Sequence, residues 1–521
     1  MATSLLRHPG YHAQLAPERL AVVMAETGVS LTYRALDAFA NRLARLYHSL
    51  GLGYGDHVAY QLENRVECPA LQWGAHYAGL YYTFLSTRLT PAETVYIVEN
   101  CDATVLVLSA RCATAALLAA LSELPSPPQV FILEAPCEGR PALLETLQTY
   151  LATPLEDARE GSEMLYSSGT TGRPKGVKPA LTGKPLGSTE VIAQQLEKAF
   201  AVDERCVYLS PAPYYHAAPL KWVRGVHVLG GTAVLMEKFE AQNALAAIET
   251  HRVSHSQWVP TMFHRLLNLP APLRQRYDLS SQRVVVHAAA PCPIATKQAM
   301  IDWWGPILYE YYGSTEQIGM TMSNTHDWLA HPGTVGRAIY GRLHILDESG
   351  RSLPAGEDGL VYFSDSLPFS YHKDPAKTAE AYNDRGWACV GDIGHLDEEG
   401  FLYLTDRQSN MIISGGVNVY PQETENVLVS HPLVLDAAVI GIPDPDLGES
   451  VHALIQLHDT SLANDALATT LLQFCREHLS SIKCPRSLEF RQELPREPTG
   501  KLLKRLLRVE RPNASDQEVC A

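Results

Sequence analysis

The sequence predicts an α/β protein of at least two domains. Three features carry that expectation: 521 residues exceed what one core organises, short apolar runs alternate with helical stretches, and the texture changes after about residue 340. The first clear element is a helix in TYRALDAFANRLARLYHSLGLGYGD. Thr32 is a good cap, Leu36, Phe39, Leu43, Leu46 and Leu50 recur at helical spacing, and Gly51 stops it. Strand candidates follow at Thr104–Ala110, Gln129–Ala135, Thr232–Met236 and Arg283–Ala290, with helical stretches such as ALAAIETHRV between some of them. Next, LHILDESGRSLPAGEDGLVYFS has the turn-rich pattern of a hairpin. After Asp406 a smaller unit of about 110 residues begins. It offers a helix from Pro421, strands in DAAVIGI and VHALIQL, and a helix carrying Leu467, Leu471, Phe474, Cys475 and Leu479.

Composition narrows the classes of function. With 46% hydrophobic and 19% charged residues the chain reads as globular rather than disordered. A formal net charge of −15 argues against a broad nucleic-acid face, and it requires any anionic ligand to be met by locally placed cations. Ten cysteines between Cys68 and Cys520 form no CxxC pair, so reduced thiols are expected. The first twenty residues lack a sustained apolar stretch and no window holds 18 uninterrupted apolar residues. A cytoplasmic protein without a secretory signal or membrane span is the expectation.

The densest chemistry lies in LYSSGTTGRPKGVK, Leu165–Lys178. Glycines let backbone N–H groups approach a ligand, and successive free amides make an anion-binding nest. Ser167, Ser168, Thr170 and Thr171 add hydroxyl donors around Gly169, and Lys175 adds a mobile positive charge. The set suits a polyphosphate, although a lone Ser/Gly-rich segment also reads as a polar surface turn. It is not a Walker A loop: no Gly precedes Lys175, no Ser or Thr follows it, and Pro174 blocks the helix such a loop opens. GLGYGD at Gly51–Asp56 lacks dinucleotide-binding spacing.

YSSGTTGRPKGV resembles the phosphate-binding signature of adenylate-forming enzymes, the superfamily of acyl-CoA synthetases, adenylation domains and luciferases. Further matches follow in that family's order. YEYYGSTE (Tyr309–Glu316) resembles its adenine- and magnesium-binding motif, and GWACVGDIGHLDEEGFLYLTDR (Gly386–Arg407) its ribose-binding segment. PTGKLLKRLLR (Pro498–Arg508) resembles its catalytic-lysine motif, with MIISGGVNVYPQETENVL before it. The resemblance covers essentially the whole chain.

What the resemblance implies is specific. The fold would be a large N-terminal domain, residues 1–407, with two α/β subdomains and a β-barrel, followed by a small mobile α+β domain, residues 408–521. The reaction would be ATP-dependent activation of a carboxylic acid as an acyl-adenylate, then transfer to coenzyme A. Lys175 and the loop amides would hold the β- and γ-phosphates, Glu316 would hold Mg²⁺, and Thr315 would donate to the α-phosphate. Lys501 would bridge the attacking carboxylate and the α-phosphate. Asp392 would accept the ribose hydroxyls with Arg407 assisting. Glu310, Tyr311 and Tyr312 would line the adenine slot together with HAAAP, which contributes Ala289 and Ala290, and Gly313 would sit beside the substrate. Gly415, Gly416, Lys483 and Arg486 would lie near coenzyme A, the two cations being equally plausible as surface charges.

By the same resemblance His216 would stand at the mouth of the acyl pocket, with Trp258 as apolar wall. A half-buried histidine packed on tyrosines and a core tryptophan are the competing readings. Two departures stand out: Asp406 replaces a frequent glycine, and Ser409 replaces the Asp or Lys common at the domain pivot. The branch most resembled acts on fatty or steroid-type acids, with aryl acids, or transfer to a separate carrier protein, as the alternative. Oligomeric state stays open, a homodimer being compatible. No nucleic-acid partner is expected.

Overall fold

The computed structural model describes residues 7–167, 174–188, 191–496 and 502–509, with Ser167 and Val509 as backbone only. The predicted first helix spans Tyr33–Ser49, and Thr32 Oγ1 accepts the Ala35 N–H at 3.2 Å as its cap. Its face of Leu36, Leu43 and Leu46 is fully buried, packed against the helix Glu67–Tyr77.

Two sheets form the body of the larger part. The first has nine strands in the order Arg337–Tyr340, Met320–Asn324, Leu308–Gly313, Val284–His287, His255–Trp258, Val207–Ser210, Thr232–Leu235, Leu20–Met24 and Ser30–Thr32. Its six central strands, from Leu308–Gly313 to Leu20–Met24, are parallel, so their carboxyl ends open on one side. The second is a five-stranded parallel sheet with Gln129–Ile132, Ala103–Leu108, His57–Gln61, Tyr81–Leu85 and Ser162–Glu163 in that order. All four strand candidates of the sequence are found in these sheets, each ending earlier than expected, and the one from Thr104 starting one residue sooner, at Ala103.

The hairpin-like segment is a hairpin, Arg342–Leu346 with Gly359–Ser364, extended by Asp392–Leu396 and Leu402–Arg407. At the place where the resemblance implies a barrel, the described residues form this four-stranded antiparallel sheet. Among the described residues its outer strands do not pair with each other, and Leu402 bridges Gly336 beside the nine-stranded sheet instead. Ile345, Val361, Phe363 and Leu402 of these strands are buried in one cluster with Ile318 and Val335.

The smaller part has the predicted pieces. The helix Pro421–Val429 and the helix Asp465–His478 pack on a sheet whose long strands, Val434–Asp444 and Gly448–Leu457, are antiparallel partners. Gly415 and Gly416, at φ +57° and +79°, form the two-residue turn between Ile412–Ser414 and Val417–Val419. Among the described residues every cysteine is a free thiol, and no helix is long and apolar enough to cross a membrane.

Candidate active site

Lys175 is set by a small hairpin. Strands Leu165–Ser167 and Lys175–Val177 pair antiparallel with Ser167 opposite Lys175, so the Ser/Gly-rich stretch is the connection between them. Ser168, Gly169, Thr170 and Thr171 lie outside the described residues, as does the side chain of Ser167. A distant segment joins the other side of this hairpin. Val177 bridges Tyr371, and the His372 N–H donates to the Gly176 carbonyl at 2.8 Å. The Tyr371 hydroxyl then donates to Glu316 Oε1 at 2.8 Å, while Lys175 Nζ stands 5.3 Å from the centre of its ring. Burial, and then the nearby Lys377 charge, lower the pKa of Lys175. Burial, and then the Glu316 carboxylate, raise that of Tyr371. No sequence motif pointed to Tyr371, and it joins the two charges that the sequence singled out.

The motif around Glu316 starts on the strand Leu308–Gly313 and turns away after it. Gly313, Thr315, Glu316 and Tyr311 line a cavity of about 1720 Å³, as do Lys175, His216, Trp258, Ala289 and Arg407. The Tyr311 hydroxyl accepts from Gln257 Nε2 at 2.9 Å. Tyr312 donates from its hydroxyl to Asp392 Oδ2 at 2.7 Å, and Asp392 Oδ1 pairs with Arg407 Nε at 3.1 Å. Asp392 and Arg407 face each other across neighbouring strands. Asp392 and Tyr312 therefore stand just behind the cavity wall, holding Arg407 on it. The Asp392 charge raises the pKa of Arg407. Ala289 has φ +76°, a left-handed conformation that costs a non-glycine residue about 1–3 kcal/mol and is typical of ligand-facing loops. Ala290 does not line the cavity.

Glu310 is a correction. It does not line the cavity; it points to the opposite face of its strand, where Lys297 Nζ lies 2.6 Å away and His287 Nε2 3.6 Å. Successive strand residues face opposite sides, so Tyr311 on the cavity requires Glu310 off it. Burial raises the Glu310 pKa against the pull of Lys297, and burial together with Lys297 keeps that of His287 low. Trp258 is both wall and core: it is 1% exposed, packed with Phe263 and Trp304, and donates to Ser256 Oγ at 2.8 Å. His216 is half-buried at the start of the helix Ala217–Val228, its ring 4.3 Å from that of Tyr215.

The smaller domain reaches the cavity. Lys501 lies outside the described residues, but Leu503 and Leu506 after it, and Pro495 and Arg496 before it, line the cavity. Gly415, Gly416, Lys483 and Arg486 do not. Lys483 pairs with Glu423, and Arg486 is held through its backbone N–H to Val451 at 2.9 Å. Ser409 sits in a short 3₁₀ turn, Gln408–Asn410, where its carbonyl accepts from Arg508 at 3.0 Å. Asp406 cradles the same turn, accepting from Asn410 Nδ2 and from the Gln422 N–H, each at 3.0 Å. A second group the motifs did not flag is Glu163 with Arg224 and Lys221, charged residues on the cavity wall. Lysine and arginine three apart in an otherwise apolar helix were the available signal.

Residues 11–369 match the AMP-binding enzyme family, and residues 423–501 match the AMP-binding enzyme C-terminal domain. The chain belongs to the AMP-binding enzyme family. It is 33% identical to a (7a-methyl-1,5-dioxo-octahydro-1H-inden-4-yl)propanoyl:CoA ligase of Rhodococcus jostii, over 94% of this chain and 95% of that protein. It is 32% identical to the long-chain-fatty-acid–CoA ligase FadD13 of Mycobacterium tuberculosis, over 96% of each. Among solved structures, an o-succinylbenzoate CoA synthetase of Bacillus subtilis in complex with its acyl-adenylate intermediate aligns with a TM-score of 0.79 at 27% identity, covering 96% of this chain and 97% of that one. The larger and smaller parts of this AMP-binding enzyme correspond to the fold its resemblance implied.

Proposed function

We propose that this AMP-binding enzyme is an ATP-dependent carboxylic acid–CoA ligase acting on a hydrophobic acid of fatty or steroid-derived type. One observation carries the reading: Lys175 and Glu316 meet through Tyr371 at a cavity to which both domains contribute. An oxygen of the acid attacks the α-phosphorus of ATP and the bond to the β-phosphate oxygen breaks, giving acyl-adenylate and pyrophosphate. The thiol of coenzyme A then forms a bond to the acyl carbon as AMP leaves, and its proton passes to solvent. The relatives named CoA ligases support this sequence of steps.

Bringing a carboxylate to a triphosphate sets like charges together, about 4 kcal/mol per pair of unit charges at 4 Å and an effective dielectric of 20. Cations fixed beforehand offset that repulsion where it grows. Lys175 and the loop from Ser167 to Thr171 take the β- and γ-phosphates, Thr315 the α-phosphate, and Lys501 the oxygens between acid and phosphorus. Arg407, held by Asp392 and Tyr312, faces the ribose, with Tyr311 and Ala289 beside the base. Among the described residues no three His, Cys, Asp or Glu side chains cluster as a metal cage. Glu316 alone, with substrate phosphates, suits Mg²⁺, an ion usually held by one or two carboxylates and phosphate oxygens. When bound, it supplies neutralisation of phosphate charge.

The N-terminal AMP-binding domain is taken as residues 1–407 and the C-terminal domain as 408–521, with Ser409 at the pivot. Rotation there brings Gly415, Gly416, Lys483 and Arg486 towards coenzyme A for the second step. Free thiols support a cytoplasmic setting. The test is acid-dependent ATP–pyrophosphate exchange over fatty, steroidal and aromatic acids, followed by AMP release with and without CoA. Exchange with CoA-dependent AMP release is expected. No exchange with any acid overturns the reading, and exchange without thioester formation points to a carrier-protein acceptor.

A further inference from the structure

One wall of the cavity carries charges that neither half-reaction uses. Along the helix Ala217–Val228, Ala217, Lys221 and Arg224 recur at helical spacing and all line the cavity. Facing them is Glu163, at the end of the strand Ser162–Glu163. Arg224 Nη1 reaches Glu163 Oε2 at 2.6 Å and the Tyr82 hydroxyl at 2.8 Å, while Lys221 Nζ reaches Glu163 Oε1 at 3.4 Å. The three charged side chains are only 12%, 16% and 7% exposed for Arg224, Lys221 and Glu163. Apolar Phe84, Leu165 and Trp222 line the cavity with them.

Buried charges persist when something compensates their desolvation. For Glu163 the compensation is complete. Burial opposes its ionisation, yet Arg224 and Lys221 outweigh that and hold its pKa down to about 2. The opposite holds for Lys221: burial lowers its pKa by more than Glu163 restores, and Arg224 pushes the same way. The two partners thus shift as if the pair served only the carboxylate, which the closer Arg224 contact explains. Glu163 engages one end of an ammonium that has three N–H donors. Among the described residues Glu163 is its one ion-pair partner, and Lys221 lines the cavity.

His216 precedes this helix, so at about 1.5 Å per residue Lys221 lies ~7.5 Å and Arg224 ~12 Å further along its axis. We propose that Lys221 recognises a second oxygen function of the acid, a ketone or a second carboxylate, carried roughly 8–12 Å from the carboxyl that reacts, with Glu163 and Arg224 fixing the ammonium in place. This rests on the reading of the cavity as acid-binding, with His216 at its nucleotide end. An acceptor oxygen there completes the ammonium's hydrogen bonding. A bare alkyl chain leaves it buried and under-satisfied, so the site selects against plain fatty acids of the same length.

The experiment compares octanoic acid, octanedioic acid and the methyl-ketone acid of the same chain length in pyrophosphate exchange. The wild-type enzyme is expected to favour an oxygenated acid over octanoic acid by about 10- to 100-fold in kcat/KM, as for a hydrogen bond to a charged group. The ketone and dicarboxylate arms identify which oxygen is preferred. In Lys221→Met and Lys221→Gln that ratio falls to within about threefold of unity. A wild type that activates octanoic acid as well as both others overturns the inference while leaving the ligase reading intact, and this arm decides even where a variant does not fold. Variants that fold but keep the wild-type ratio overturn it too. Absence of exchange with every acid strikes the ligase reading itself.

Discussion

Replacing Tyr371 by Phe tests the link between the two charges most directly. The change removes one oxygen, the donor to Glu316 Oε1 at 2.8 Å, and keeps the ring 5.3 Å from Lys175 Nζ. A hydrogen bond to a charged partner contributes about 1.5–3 kcal/mol. Tyr371 is half-buried and water can take part of the donor's place, so about 1–2 kcal/mol is the expected loss, or roughly 5- to 30-fold in kcat/KM. The loss should appear against ATP, at saturating acid, because the proposed function puts Glu316 at the metal-bound phosphates. Tyr371→Leu removes the ring as well, and a cation–π contact of about 0.5–1 kcal/mol predicts a further two- to fivefold decrease. The raised pKa of the phenol adds a second readout. It remains a donor at its ordinary pKa of about 10, so activity carried by this contact does not fall as pH rises through that value. Exchange rates within twofold of wild type for Tyr371→Phe, with the fold intact, would show that Tyr371 does not orient Glu316.

Lys501→Ala should lower adenylation by about 10²–10³-fold while thioester formation from supplied acyl-adenylate is much less affected; equal losses in both half-reactions would remove it from the first step. Lys297→Met leaves the Glu310 carboxylate buried without its cation and should cost about 3–5 kcal/mol in urea unfolding. The double change Lys297→Met/Glu310→Leu should recover most of that, and a double variant as unstable as the single one contradicts the ion-pair explanation. Stability should also fall as pH drops below about 6.5. His57 and His227 are buried and kept neutral, chiefly by desolvation, with pKa values lowered to about 3 and about 4. The unfolded chain binds protons in this window and the native one does not, so stability is fully present above about 6.5. It declines towards pH 4 by up to roughly 1.4 kcal/mol per pH unit for each histidine. Denaturation midpoints independent of pH over that range would contradict the assignment.

How much of the site could be read from the chain follows from what fixes each residue. The helix Tyr33–Ser49 was legible because its cap, its apolar spacing and its stop all lie within one local stretch. The pairing of Ser167 with Lys175 was not read from the chain, because its two strands are only three residues long and leave no alternation to detect. Glu310 was misassigned although the needed information was present: strand alternation puts it and Tyr311 on opposite faces, and its partner Lys297 comes from a helix 13 residues earlier that only the packed fold brings near. Tyr371 was not legible at all. It lies outside every recognisable motif, and it arrives beside Lys175 through main-chain pairing at Val177 and Gly176, which leaves no mark on residue type. The segment proposed as the pivot shows the remaining case. Asp406 and Ser409 read as departures from a pattern, and the contacts give Asp406 a task, since its carboxylate ties the Gln408–Asn410 turn to the start of the helix Pro421–Val429. A glycine there supplies no such tie. If the proposed pivot at Ser409 is correct, the departure exchanges backbone freedom there for a polar latch, and the proposed rotation would have to open the contact with the Gln422 N–H.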